Sequence, residues 1–80
     1  MTTVHVKLFA TLRKYRPELG VGEAFAVQVP DGATVADLIR LLGLPEDQAR
    51  IVFVNAVASE QGHVLSDGDQ VGIFPPVGGG

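Results

Sequence analysis

Apolar and polar residues alternate at the start of the chain, where Val4, Val6 and Leu8 are separated by polar residues. A period of two places successive side chains on opposite faces of an extended chain, so we predict a half-buried strand from Thr3 to Phe9. The same alternation returns from Phe25 to Val29. We predict that this second segment forms a strand beside the first.

The middle of the chain predicts one amphipathic helix from Val35 to Leu42. Apolar residues recur there at the spacing i, i+3, i+4 and i+7, which places them on one face of a helix. Thr34 is a suitable N-cap, Asp37 lies where a carboxylate favours the helix dipole, and Gly43 stands where a left-handed C-cap belongs. Further upstream, Leu12 to Tyr15 favour only a short helical turn, because proline and glycine follow.

The last apolar segments predict a central strand and a closing strand. Ile51 to Asn55 is an almost continuous apolar run rich in β-branched residues, which is typical of a strand inside a sheet. Gln70 to Phe74 alternates again after a turn-forming sequence, and we also expect a short strand near Val64. This order of elements predicts an α+β fold of the β-grasp type, a mixed sheet of about four to five strands with one main helix packed on one face.

Composition narrows the class of protein. The 80 residues suffice for one domain, and the absence of cysteine excludes disulfides, thiolate metal ligands and a thiol nucleophile, so we expect a cytoplasmic protein. A net charge of −3 with scattered bases argues against nucleic-acid binding, and no apolar run is long enough for a membrane span. The acids show no metal-ligand spacing, and His5 and His63 are too far apart in the predicted fold for a catalytic triad. We therefore expect no bound metal or cofactor.

The end of the chain departs from the strand pattern. Pro75 and Pro76 cannot donate ladder hydrogen bonds, so the sheet should end at Phe74 and the chain should leave it extended. The glycines that close the chain have no side chains and can enter a channel too narrow for other residues. We therefore predict a β-grasp domain over residues 1–74 and a flexible tail over residues 75–80.

Several short motifs match one known family: Leu8-Phe9-Ala10 with Leu12-Arg13, Gly32-Ala33-Thr34-Val35 with Asp37-Leu38, Val54-Asn55, Leu65 to Asp69, and Phe74-Pro75-Pro76-Val77. On these motifs the whole chain resembles the small subunit of molybdopterin synthase and the related thiamine-biosynthesis sulfur carrier. Both are ubiquitin-like proteins that end in Gly-Gly. The Phe-Pro-Pro-Val motif favours the molybdopterin branch, although Gly78 stands where that branch usually has alanine or a small polar residue.

The resemblance implies a sulfur carrier that is not catalytic on its own. A ubiquitin-activating-like enzyme would consume ATP to adenylate the carboxylate of Gly80, and a sulfur donor such as a cysteine desulfurase system would convert it to a thiocarboxylate. The large subunit of molybdopterin synthase would then admit the tail glycines Gly78 and Gly79 and use the sulfur to build molybdopterin, for a molybdenum or tungsten cofactor.

The resemblance also implies an apolar docking surface near the tail. Phe9 and Phe74 are the candidates, because both are expected on the strand face opposite the predicted core, and Arg13 is a candidate for an added ionic contact. Ala58 stands where a larger apolar residue is expected for this surface. The remaining candidate partner contacts lie along the tail, at Pro75, Pro76 and Val77.

Three other functions remain open from the sequence. The same acyl chemistry would serve a carrier for thiamine or another sulfur metabolite, because the partner decides the product. It would also serve a ubiquitin-like modifier that forms isopeptide bonds with lysines. The third of these is a plain binding module, which predicts that deletion of Gly79 and Gly80 leaves function intact.

Overall fold

The computed structural model describes residues 1–20 and 22–76. Within this part of the chain, five strands form one mixed sheet in the order β2-β1-β5-β3-β4. The elements are β1 (Thr2–Leu8), a 3-10 helix (Ala10–Tyr15), β2 (Phe25–Val29), α1 (Val35–Leu42), β3 (Ile51–Val54), β4 (Val57–Ser59) and β5 (Gln70–Phe74).

The first and last strands lie side by side near the middle of the sheet. β1 and β5 are parallel, with Val6 opposite Val71 and Leu8 opposite Ile73, whereas the other neighbouring strands are antiparallel. A parallel pair requires a long crossover, and here the connection contains α1. The predicted class is confirmed: the chain is an α+β, ubiquitin-like β-grasp domain.

Local capping defines both ends of α1, which has the predicted bounds. The backbone N–H of Asp37 donates to Oγ1 of Thr34 at 3.2 Å, and the carboxylate of Asp37 accepts from the N–H of Thr34 at 2.9 Å. This reciprocal pair satisfies two amide groups that the helix itself leaves without partners. Gly43 ends the helix at φ 73°, a left-handed conformation that glycine adopts without a steric cost.

One apolar core lies between α1 and the sheet. Alternate residues of the strands point into it, as the period of two predicts. Leu12 of the 3-10 helix closes the core on one side. Its fully buried members include Val4, Val6, Val29, Val35, Leu38, Ile39, Val71 and Ile73.

The hydrophobic pattern of the sequence did not predict the short edge strand β4 (Val57–Ser59). Asn55, predicted as a strand residue, instead begins a tight hairpin turn, and Asn55 and Ala56 take left-handed φ values of 52° and 69°. This turn carries Val57–Ser59 back along β3. The prediction of a short strand near Val64 is wrong, because Val64 forms an isolated bridge with Thr34 and no strand.

Smaller corrections concern the boundaries. β1 begins one residue earlier than predicted and ends at Leu8. Phe9 is still extended and donates its N–H to the carbonyl of Ile73 at 3.1 Å, but Ala10 then turns the chain with φ 54°. The strand predicted as central, β3, is an interior strand, whereas β5 occupies the middle of the sheet.

Candidate functional site

Three phenylalanines form a cluster on the sheet face opposite α1; we call Phe9, Phe53 and Phe74 the aromatic cluster. The rings of Phe9 and Phe74 are stacked, with centroids 4.2 Å apart and planes within 2° of parallel. Phe53 meets Phe74 edge to face at 5.6 Å and 82°. All three side chains are half-buried, although no helix among residues 1–20 and 22–76 covers this face. The aromatic cluster is therefore an apolar surface held in fixed geometry by its own contacts.

Gly72 explains how the stacked rings lie close to the sheet. It occupies the middle of β5, opposite Lys7 on one side and Phe53 on the other. A methyl group added there would approach Cε2 of Phe9 to 3.3 Å and Cε1 of Phe74 to 3.6 Å. Glycine inside a strand commonly marks a close approach by another group. Here that group is the ring of Phe9.

A shallow groove of about 730 Å³ runs along the aromatic cluster. Its polar lining consists of His5, Lys7 and Gln70, and no carboxylate of the described residues lines it. Lys7 is exposed beside the aromatic rings. The groove therefore combines an apolar lining with one positive charge, that of Lys7, which favours an apolar partner surface with an acidic residue at its edge.

Polar side chains fix the start of β5 and hence the position of its end. Asp69 accepts from Nδ2 of Asn55 at 2.9 Å and from the backbone N–H of Ser66 at 2.8 Å. Oδ1 of Asn55 in turn accepts from the N–H of Gln70 at 3.0 Å. These bonds tie the turn before β5 to the β3–β4 hairpin. The register of β5 therefore places its last residue, Phe74, in the aromatic cluster.

The chain leaves the sheet beside the aromatic cluster. β5 ends at Phe74, as predicted, and Pro75 is half-buried while Pro76 is exposed. The predicted tail residues Val77, Gly78, Gly79 and Gly80 lie outside the described residues.

The structure brings together only part of the predicted docking surface. Phe9 and Phe74 are in contact, but Arg13 lines a different recess with Arg16, Leu19 and Glu23. Sequence reasoning missed Phe53. Its position between the buried Val52 and Val54 indicated the opposite face of the sheet, but its contact with Phe74 depends on the pairing of β3 with β5.

The described residues contain neither a metal-binding cluster nor a membrane-spanning helix. Within residues 1–20 and 22–76, no three His, Asp or Glu side chains lie close enough together to hold a metal ion. In the same part of the chain, every helix is too short or too polar to cross a membrane.

The β-grasp fold and its similarity to solved structures place the chain in the class of small ubiquitin-like carrier and modifier proteins. Within that class, the chain belongs to the ThiS family, whose profile matches residues 6–80. The family predicted from the short motifs is thereby confirmed.

Solved structures similar to this chain include two archaeal proteins. SAMP1 from Haloferax volcanii is 28% identical, with a TM-score of 0.72 over 98% of this chain and 99% of its own. A protein from Pyrococcus furiosus assigned as molybdopterin converting factor, subunit 1, is 30% identical, with a TM-score of 0.73 over 96% of this chain and 100% of its own. Protein RnfH of Alcanivorax borkumensis is 30% identical in an alignment of 84 positions, which covers 95% of this chain and 75% of RnfH.

Proposed function

We propose that this protein is a sulfur carrier whose working group is the carboxylate of Gly80. The observation that supports the proposal most directly is the extent of the family match, which continues to residue 80 and so includes the closing glycines. Gly78 and Gly79 lack side chains, so a narrow channel in a partner enzyme can admit the end of the chain. The reacting carbon would be the carboxyl carbon of Gly80.

The proposed chemistry requires no catalytic side chain from the carrier. An oxygen of the Gly80 carboxylate attacks the α-phosphorus of ATP on an activating enzyme, and pyrophosphate leaves. The acyl-adenylate then has a good leaving group, so hydrosulfide displaces AMP at the carbonyl carbon. A persulfide from a sulfur donor would instead displace AMP to form an acyl disulfide, and a thiol would then reduce this disulfide to the same product and leave as the mixed disulfide. The product is a thiocarboxylate. The carrier is thus a co-substrate, and its partner enzymes supply the catalytic groups.

The aromatic cluster is suited to position that carboxylate on a partner. A chain from Pro75 to Gly80 extends at most about 20 Å. A partner that acts on Gly80 must therefore place its active site within this distance of Phe74. Aromatic side chains often dominate the binding energy of protein interfaces, and Phe9 and Phe53 lie next to this exit point. We propose the aromatic cluster, with Pro75, Pro76 and Val77, as the docking surface.

The product that we propose is molybdopterin, for a molybdenum or tungsten cofactor. Two observations support this choice over thiamine: the 30% identity to the Pyrococcus furiosus protein and the Phe74 to Val77 motif. The partners would be an adenylating enzyme, a sulfur donor such as a cysteine desulfurase system, and the large subunit of molybdopterin synthase. Arg13 would contact a partner outside the groove of the aromatic cluster.

The test is intact mass spectrometry after incubation with an activating enzyme, ATP and sulfide. We expect a mass increase equal to the exchange of one oxygen for sulfur, located in the peptide that contains Gly80. A variant that lacks Gly79 and Gly80 is the matched control and should show no change. If the full chain also shows no change with several activating enzymes, although its sheet is intact by NMR, the carrier proposal is wrong.

A protein modifier is the second candidate, because SAMP1 of Haloferax volcanii is a small archaeal modifier protein of similar fold. In this case the activated Gly80 would form isopeptide bonds with lysines of other proteins. An affinity-tagged chain expressed in cells should then give adducts that survive denaturation and reduction. The variant without Gly79 and Gly80 should give none. Sulfur loading without such adducts would favour the carrier function alone.

A further inference from the structure

The turn between β3 and β4 is strained at Ala56. Val54 and Val57 pair directly, so Asn55 and Ala56 alone connect the two strands. Both take left-handed φ values, 52° and 69°, as in a type I′ turn. This conformation brings the β-carbon of an L-residue close to the following carbonyl oxygen, and glycine is strongly preferred at the second position of the turn. Alanine at position 56 therefore makes the turn less favourable than glycine would.

Asn55, the other residue of the turn, has a structural reason for its conformation. Asparagine adopts left-handed φ values more readily than most residues do. Its Nδ2 donates to Asp69 at 2.9 Å, and its Oδ1 accepts from the backbone N–H of Gln70 at 3.0 Å. These two bonds tie the hairpin to the start of β5. The contacts of Asn55 within the fold thus account for its place in the turn.

The side chain of Ala56 has no comparable role in the fold. Its methyl group is exposed and is not part of the apolar core that residues 1–20 and 22–76 form. A methyl group also has no hydrogen-bonding atom with which to fix the turn. The strain at Ala56 is therefore not offset by burial of its methyl group within this part of the chain.

The methyl group lies instead in the groove of about 730 Å³ that runs along the aromatic cluster. Ala56 lines this groove together with Phe53, Gln70 and Phe74. It extends the apolar lining from the ring of Phe53 to the tip of the hairpin. Strained backbone conformations cluster at sites that bind or clamp a ligand. The unfavourable φ and the position in the groove are separate observations, and both indicate the same surface.

Ala10 provides a contrast to Ala56. It is also exposed and also has a left-handed φ, 54°, but it does not line the groove. It turns the chain after Phe9, whose position is fixed by its own N–H bond to Ile73 at 3.1 Å and by its stack on Phe74. A glycine at position 10 would therefore relieve strain without removing a methyl group from the groove.

We propose that Ala56 is a specificity-determining residue of the docking surface. Its methyl group packs against an apolar side chain of the activating enzyme that acts on Gly80, so the inference rests on the proposed sulfur-carrier function. The chain accepts a less stable turn in the free state, and the methyl group gains its contact only in the complex. Burial of one methyl group changes a binding constant by about two- to five-fold.

Ala56→Gly separates stability from docking. We expect its Tm to rise by about 2–8 °C, because glycine relieves the strain of the turn. The KM of the activating enzyme for the chain should increase by about two- to five-fold with kcat unchanged, since the methyl group binds equally before and during the reaction. A methyl group that only supported the fold would give a lower Tm. Ala10→Gly is the matched control, with a higher Tm and an unchanged KM.

A chemically synthesised full chain with D-alanine at position 56 distinguishes the methyl group from the rigidity of the turn. A D-residue favours positive φ, so the turn stays rigid while its methyl group points in another direction. We expect a Tm at least as high as that of Ala56→Gly and the same increase in KM. A wild-type KM for the D-alanine chain, beside a raised KM for Ala56→Gly, would assign the effect to rigidity and overturn the proposal.

Two further outcomes would also overturn the proposal: a Tm of Ala56→Gly that does not rise, and a KM equal to that of wild type. Binding to the activating enzyme is measured in addition without ATP, by isothermal titration calorimetry, for wild type and Ala56→Gly. Equal Kd values contradict the role of Ala56 and leave the carrier function intact. Weaker binding of Ala56→Gly, with no sulfur on Gly80 of either chain, contradicts the carrier function alone. A wild-type chain that binds no activating enzyme contradicts both.

Discussion

Replacement of Gly72 by alanine tests whether the stacked rings lie on the backbone of β5. The new methyl group would come within 3.3 Å of Cε2 of Phe9, so the ring must move by a few tenths of an ångström. Alanine lowers the entropy of the unfolded chain and so stabilises the fold by about 0.4–1 kcal/mol. Disruption of the Phe9–Phe74 stack costs about 0.5–1.5 kcal/mol. We therefore expect a net change within about 1 kcal/mol and weaker partner docking.

Gly62→Ala is the matched control, because a methyl group there meets no atom within 4 Å and the backbone φ is not left-handed. This variant should show only the stabilisation of the fold that comes from the lower entropy of the unfolded chain. Urea denaturation of both variants measures the difference, and NMR of the Phe9 and Phe74 ring protons reports the stack. In a Phe9→Ala background, which removes the contacting ring, Gly72→Ala should stabilise the protein about as much as the control does. Equal stabilisation by the two variants in the wild-type background, with unchanged ring shifts, would refute the contact.

Three further predictions concern the fold that carries the site. Leu38→Ala should lower the free energy of unfolding by about 2–5 kcal/mol, because its side chain is fully buried, whereas the exposed neighbour Leu41→Ala should change it by less than about 0.5 kcal/mol in urea denaturation. Thr34→Ala should cost about 1 kcal/mol through loss of the helix cap, and Thr34→Ser should restore most of that stability; equal stability of wild type and Thr34→Ala would contradict the cap. A hydrogen bond from the Thr34 backbone, followed by one from Arg40, holds the pKa of Asp37 below its ordinary value. The Asp37 carboxylate therefore stabilises the fold above its unfolded pKa of about 3.9, and this stabilisation is lost as the pH falls through the lower folded pKa. Asp37→Asn should consequently flatten the acid side of a plot of Tm against pH. Parallel plots for wild type and variant would exclude this contribution.

The elements that the sequence predicts best are those with local signals. The bounds of α1 are correct because Thr34, Asp37 and Gly43 mark its two ends within a few residues of the apolar pattern. β2 and β5 are also correct, since each alternates cleanly and is bounded by turn or proline residues. In these segments, local preference and tertiary packing favour the same structure.

The parts of the structure that the sequence does not predict depend on pairing between residues that are distant along the chain. Val57–Ser59 is a strand only because the left-handed turn at Asn55 and Ala56 returns it to β3, and non-glycine residues rarely adopt that conformation. The role of Phe53 has the same origin. Its ring reaches Phe74 through the register of β3 against β5, which no pattern near residue 53 specifies. Phe9 and Phe74 could be assigned to the correct face, but their stacking could not.

The central position of β5 also affects when the domain can form during synthesis. β1 and β3 are separated in the sheet by the strand that is made last among the five, so neither the β1–β2 pair nor the β3–β4 hairpin can complete the sheet earlier. Folding driven by such long-range pairing must wait for the C-terminal segment to leave the ribosome. A nascent chain that stops before Gln70 lacks both the middle strand of its sheet and one of the three rings of its aromatic cluster. The sheet therefore forms only in chains that have been translated through β5, so a partner that recognises the folded surface binds only such chains.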